Sequence, residues 1–87
     1  MQDVESLPDN YIENLHKTIG QNVKKERVRK GLTQLQLSQM IGHKSVTIIS
    51  RAEIFHKGQH FNLEHLSKIA FVLDIYICDL FVDSIEI

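Results

Sequence analysis

Apolar residues recur three and four apart through most of the chain, the spacing of one face of an α-helix rather than the alternation of a strand. Ile12, Leu15, Ile19 and Val23 form the first such stripe. Asp9 or Asn10 precedes it and offers an oxygen to the orphan N–H groups of a first helix, expected to run to about Lys30. Gly31 then accepts the left-handed dihedrals on which many helices end. Thr33 and Gln36 have the capping-box spacing, at the start of a second, two-turn helix with Leu37, Met40 and Ile41 on one face. Gly42 stops it. Ser45 is placed to cap a third short helix, with Ile49 and Ala52 inward. A loop from Ile54 to Phe61 holds Gly58. A fourth helix is expected from Leu63 to Leu73, with Leu63, Leu66, Ile69, Ala70 and Leu73 as its apolar face. A fifth, from about Ile77 to Val82, brings in Leu80 and Phe81. The β-branched run Val46-Thr47-Ile48-Ile49 suits a strand by composition, but the cap and short helix before it favour helix.

These elements predict an all-α fold, a compact five-helix bundle. Residues 1–9 read as a flexible acidic arm, 10–82 as one domain and 83–87 as a short apolar tail, strand-like or at a dimer interface. With 87 residues, the chain holds one small domain burying only ~60% of its unfolded surface. The apolar share of 43% is that of a folded protein. No apolar run reaches the ~18–20 residues of a membrane span. The first ten residues are polar and acidic, unlike a signal peptide. A cytoplasmic protein is therefore expected, and the single Cys78 agrees, since it cannot form an internal disulfide.

Net charge is −1, which by itself argues against a nucleic-acid partner. Its distribution changes that picture. Residues 1–13 carry −4 and residues 63–87 carry −4, whereas residues 14–62 hold nine Lys/Arg against Glu26 and Glu53, a net of +7. A basic middle between acidic ends is a local field, and the local field governs polyanion binding.

Two short helices joined by a glycine turn form the supersecondary unit of DNA-binding helix-turn-helix proteins. The first must pack closely behind the second, which asks for a small residue, and Ser38 fills that place. The turn asks for positive φ, which Gly42 tolerates. The second needs a buried branched residue, Ile49. Many helical hairpins satisfy these conditions, so the longer pattern carries more weight. Ile19-Gly20, Arg27, Gly31-Leu32-Thr33-Gln34, Leu37-Ser38, Ile41-Gly42, Ile49-Ser50-Arg51-Ala52-Glu53, Leu63-Glu64, Leu66, Ile69-Ala70, Leu73 and Asp79-Leu80-Phe81 together resemble the Cro/CI (XRE) family. The resemblance covers about residues 17–82. Gly-Leu-Thr-Gln at 31–34 and Asp-Leu-Phe at 79–81 are its most specific parts.

That resemblance implies a lambda-repressor-like domain acting as a homodimer on double-stranded DNA, with half-sites about one helical turn apart. By position, it implies base-facing roles for Val46, Thr47, Ile48, Ser50 and Arg51 on the third helix. Gln34 would meet a phosphate, with Thr33, His43, Lys44, Lys57 and Asn62 as further backbone contacts. Arg27 and Glu53 would form a structural ion pair. The turn from Gly42 to Ser45 holds one residue more than in many relatives, and this register places the extra residue there. Relatives often carry Gln, Arg or Ser where this chain has Val46, Thr47 and Ile48. Amides and guanidinium groups read bases by paired hydrogen bonds. Val46 and Ile48 are suited instead to thymine methyls, with Thr47 adding a hydrogen bond; alternatively they are partly buried and do not read DNA.

Other features carry competing readings. Lys24, Lys25 and Lys30 suit phosphate contacts or simply a solvated helix face. His56, His60 and His65 lack the clustering of a zinc site, so no metal and no cofactor is expected. Cys78 reads as a small core residue. Leu35, Phe55 and Phe61 read as exposed apolar groups at a dimer interface or under the N-terminal arm, or as caps on the core together with Ile85 and Ile87. No nucleophile–base pair, phosphate loop or paired carboxylates point to an enzyme. The expected activity is transcriptional regulation, as a repressor. The alternative is a protein-interaction module, such as an antitoxin that binds a toxin partner.

Overall fold

Among the described residues four α-helices carry the chain: α1 (Tyr11–Arg29), α2 (Gln34–Met40), α3 (Thr47–Ala52) and α4 (Leu63–Leu73). The computed structural model describes residues 1–82, and these contain no strand. The tail at 83–87, with its expected strand or interface role, lies outside the described residues. Short 3-10 turns sit at Val4–Ser6, His56–Gly58 and Ile77–Leu80. Among the described residues, no helix is long and apolar enough to cross a membrane.

The helix boundaries follow from local chemistry. Gly31 and Gly42 adopt φ of 76° and 88°, so each ends its helix without the clash a Cβ would bring. At α2 the capping box is complete: Gln36 N donates to Thr33 Oγ1 at 3.0 Å, and Thr33 N to Gln36 Oε1 at 2.8 Å. At α3, Val46 already has helical dihedrals. Ser45 acts as the cap, its Oγ accepting the Thr47 N–H at 3.1 Å. α4 starts from a second capping box, between Asn62 and His65.

The core is one cluster drawn from all four helices and both segments that bracket α4. Ile19 and Val23 come from α1, Leu37 from α2 with Ile41 just after it, Ile49 and Ala52 from α3, and Leu66, Ile69, Ala70 and Leu73 from α4. Phe61 and Leu80 complete it. Some expectations need correcting. Ile12, Met40 and Leu63 are exposed rather than inward, because each lies on the right face but at a helix end that extends past the core. Phe61 is buried, as the segment before α4 folds inward. The fifth helix is only the 3-10 turn Ile77–Leu80, too short for α-helical bonding. It still delivers Leu80 to the core, while Phe81 and Cys78 stay at the surface.

Two polar devices fix this arrangement. The buried Asn22 of α1 donates its amide to the carbonyls of Leu80 (2.9 Å) and Val82 (2.7 Å), pinning the last turn to α1. Gly20, two residues away and so on the opposite side of α1, lets that helix lie against the end of α3. A Cβ at position 20 would press on the Ala52 carbonyl oxygen and come within 2.8 Å of that of Glu53.

Candidate nucleic-acid interface

The site is organised by a carboxylate. Glu53, directly after α3, has a fully buried side chain. Its Oε2 accepts Arg27 Nε at 2.8 Å, and its Oε1 accepts Arg27 Nη2 at 3.2 Å and Gln34 Nε2 at 2.9 Å. Arg27 Nη1 donates to the Leu32 carbonyl at 2.7 Å. One anion therefore ties the last turn of α1, the first residue of α2 and the end of α3. The expected Arg27–Glu53 pair is present. Gln34, assigned above to a phosphate, donates one side-chain amide N–H to Glu53.

α2 and α3 pack against each other through Leu37, Ser38, Ile41 and Ile49. Ser38 is fully buried, and its small side chain permits the approach. Its hydroxyl has no hydrogen-bond partner among the described residues.

With Ile49 and Ala52 turned inward, the opposite side of α3 takes no part in the core. Thr47 and Arg51 are exposed; Val46 and Ser50 are half-buried. Ile48 is half-buried and packs against the core cluster. The hydroxyls are linked: Ser45 Oγ and Thr47 Oγ1 are 2.7 Å apart, and Ser50 Oγ donates to the Thr47 carbonyl at 3.1 Å. Ser45, just before α3, and Thr47 and Ser50, on its first turn, thus form one linked set of hydroxyls.

The remaining sequence-assigned contacts flank this face. Thr33 is exposed, but its hydroxyl is used in the capping box. Lys44 and Lys57 are exposed. His43 is half-buried, with its ring beside that of His65. Asn62 is exposed and its Oδ1 caps α4, accepting His65 N at 2.7 Å. Lys17, Gln21 and Lys24 of α1 line a hollow with Glu53 and Ile54, which brings part of the basic run to the end of α3. Arg29 is held by Glu26 through two hydrogen bonds of 3.0 and 2.9 Å, and the Arg29 hydrogen bonds hold the Glu26 carboxyl below the ordinary carboxylate range. Among the described residues Lys24, Lys25, Lys30, Lys44, Arg51 and Lys57 have no acidic partner within 4.0 Å.

The sequence left three of these features unread: the Gln34–Glu53 bond, the Asn62–His65 cap and the close approach at Gly20. The second had a signal, since Asn followed three residues later by a side chain with an acceptor nitrogen has capping-box spacing. No family model matches this chain, and neither does any curated protein.

Proposed function

We propose that the chain is a sequence-specific double-stranded DNA-binding protein of Cro/CI helix-turn-helix type, a transcriptional regulator acting as a homodimeric repressor. α2 and α3 form the helix-turn-helix, and α3 enters the ~12 Å major groove. The observation that carries this reading is the Glu53 node. It fixes α3 to two other helices from behind, so the outward residues Thr47, Ser50 and Arg51 are presented on a rigid support and are not needed by the core. Six cations that have no acidic partner among the described residues supply phosphate attraction, with Lys44 before α3 and Lys57 after it.

Selection of bound duplexes from a randomised pool, at two salt concentrations, tests this. The reading expects a palindrome with half-sites about ten base pairs apart. Weak binding without enrichment, lost with modest salt, would overturn it.

A second reading, a protein-interaction module such as an antitoxin, is favoured by one observation. Phe71 is 85% exposed and borders an apolar groove lined by Met40, Ile41 and Val72. Exposed apolar surface of this kind suits a protein partner. A failed duplex selection, together with a small neighbouring gene in the same operon, would favour it.

A further inference from the structure

Four of the five histidines stand in two ring pairs. His16, on α1, stacks on His60, in the segment leading into α4. Their centroids are 3.8 Å apart and their planes 21° from parallel. Phe55, in the turn after α3, extends the stack at 6.1 Å from His16 and 6.4 Å from His60. His43, in the turn before α3, lies 5.4 Å from His65, with the rings tilted by 57°. Each pair thus joins a segment flanking α3 to another helix: Phe55 and His60 to α1, and His43 to α4.

Both pairs suit neutral rings. Two imidazolium groups at these separations repel each other. His16 Nδ1 is buried without a hydrogen-bond partner among the described residues. His65 Nδ1 accepts the Asn62 N–H at 3.1 Å, in the place a capping-box glutamate or glutamine usually fills. That bond exists only while Nδ1 carries no proton. The charged surroundings mostly agree. Burial and His60 lower the pKa of His16; Lys17, 5.9 Å from the centre of the Phe55 ring, has its charge offset by Glu13 at 3.5 Å. Burial, His43 and Lys68 lower the pKa of His65, while Glu64 alone opposes them. The turn that carries Phe55 has its own backbone bonds, from Gly58 N to Phe55 O and Gln59 N to His56 O, but it is strained: Phe55 and Lys57 have φ of 54° and 51°. Non-glycine residues keep such dihedrals only where their neighbours enforce them.

We propose that the two histidine pairs form a proton-operated clasp on the segments flanking α3, closed while the rings are neutral and opened when they take up protons. Its sign follows from linkage. Unfolded histidines bind protons near pH 6.5, and His16 and His65 in the fold bind them only at lower pH. The unfolded state therefore binds more protons in this window. Stability is complete above about pH 6.5 and falls as the solution becomes more acid. Loss at Glu26, whose carboxyl lies below its ordinary range, belongs to a more acid window.

The test is urea unfolding of the full chain between about pH 7.5 and 5.5, on either side of the imidazole range, beside ring titration by NMR. The comparison is His16→Phe/His65→Gln, which removes the two rings whose proton uptake the fold opposes. Phenylalanine keeps a ring over His60, glutamine keeps an acceptor for Asn62, and neither takes up a proton in this range. The wild-type unfolding constant is expected to rise several-fold towards the acid end, and the double variant to lose most of that slope. A flat wild-type profile, or a slope undiminished in the variant, overturns the clasp. If the variant does not fold, the wild-type rings decide. Titration of His16 and His65 below about 6.5, with backbone signals of 43–46 and 54–60 shifting in step, supports it; titration at or above that value overturns it.

Discussion

Arg27 and Glu53, twenty-six residues apart, meet in a two-point pair with the carboxylate wholly out of solvent and the guanidinium nearly so. Removing two ions from water costs several kcal/mol each, which is offset only while both partners and their further hydrogen bonds are present. Here Leu32 O and the Gln34 amide supply those bonds. Arg27→Met is therefore expected to destabilise by about 3–5 kcal/mol, because it strands a buried charge. Arg27→Met/Glu53→Leu should recover much of that loss. Urea midpoints at constant slope measure both. A double variant no better than the single one would mean that the two side chains do not act as a unit.

Gly20 tests the contact between α1 and α3 from the backbone side. In an open helix, Gly→Ala stabilises by roughly 1 kcal/mol. At position 20 the new methyl meets the carbonyls of Ala52 and Glu53, which cannot move without shifting the Glu53 node. Gly20→Ala is expected to reverse the usual sign and cost about 1–3 kcal/mol, as overpacking does. Thermal unfolding of Gly20→Ala beside an alanine at the exposed Gln21 separates crowding from propensity. A stabilised Gly20→Ala protein would show that the two helices have room to part.

Periodicity, caps and stops along the chain predicted α4 at its observed bounds, the Thr33–Gln36 box, the Gly31 and Gly42 stops, and the inward Ile49 and Ala52. These are local properties, set within one or two turns. Depth was not legible. Ile12 and Ile19 share a stripe, yet only Ile19 is buried, because the core covers part of α1 and not its first turn. Phe61 stood in a segment with loop composition and was expected at the surface; its burial depends on where α4 returns. The polar partners of the candidate site were legible only in part. The Arg27–Glu53 pair came from the resemblance, whereas the Gln34–Glu53 bond depends on the distance between α2 and α3. The ring pairs join residues far apart in sequence, so no spacing announces them.

The burial of Ile48 narrows how α3 would read bases. Ile48 divides its side chain between core and surface, which leaves Val46, at the entrance to α3, as the better apolar contact for a thymine methyl. One buried methyl is worth about 0.8 kcal/mol, or roughly fourfold in affinity. Uracil in place of thymine, one position at a time in a selected site, is expected to produce that loss at a single step per half-site. Val46→Ala should abolish the difference between the two bases. Equal affinity for thymine and uracil duplexes at every position would end the methyl-reading account and leave Thr47, Ser50 and Arg51 as the only readers.

On the proposed DNA-binding reading, Arg51 and Lys44 would stand on opposite sides of the division between reading and holding DNA. Arg51 lies on the last turn of α3, exposed, and is able to reach a base edge with two donors. Lys44 lies in the turn before α3 and is a point charge suited to phosphate. Arg51→Ala is expected to cost about 1–3 kcal/mol on the selected site and to relax preference at one base position. Lys44→Ala should weaken binding about equally on all sequences and reduce the salt slope by about 1. Lys68, paired with Glu64 on α4, provides the control, since Lys68→Ala should change neither slope nor preference. Affinities measured on selected and random duplexes over a range of salt distinguish the two roles. If Arg51→Ala lowers only the salt slope, that arginine holds the backbone, and specificity rests on the first turn of α3.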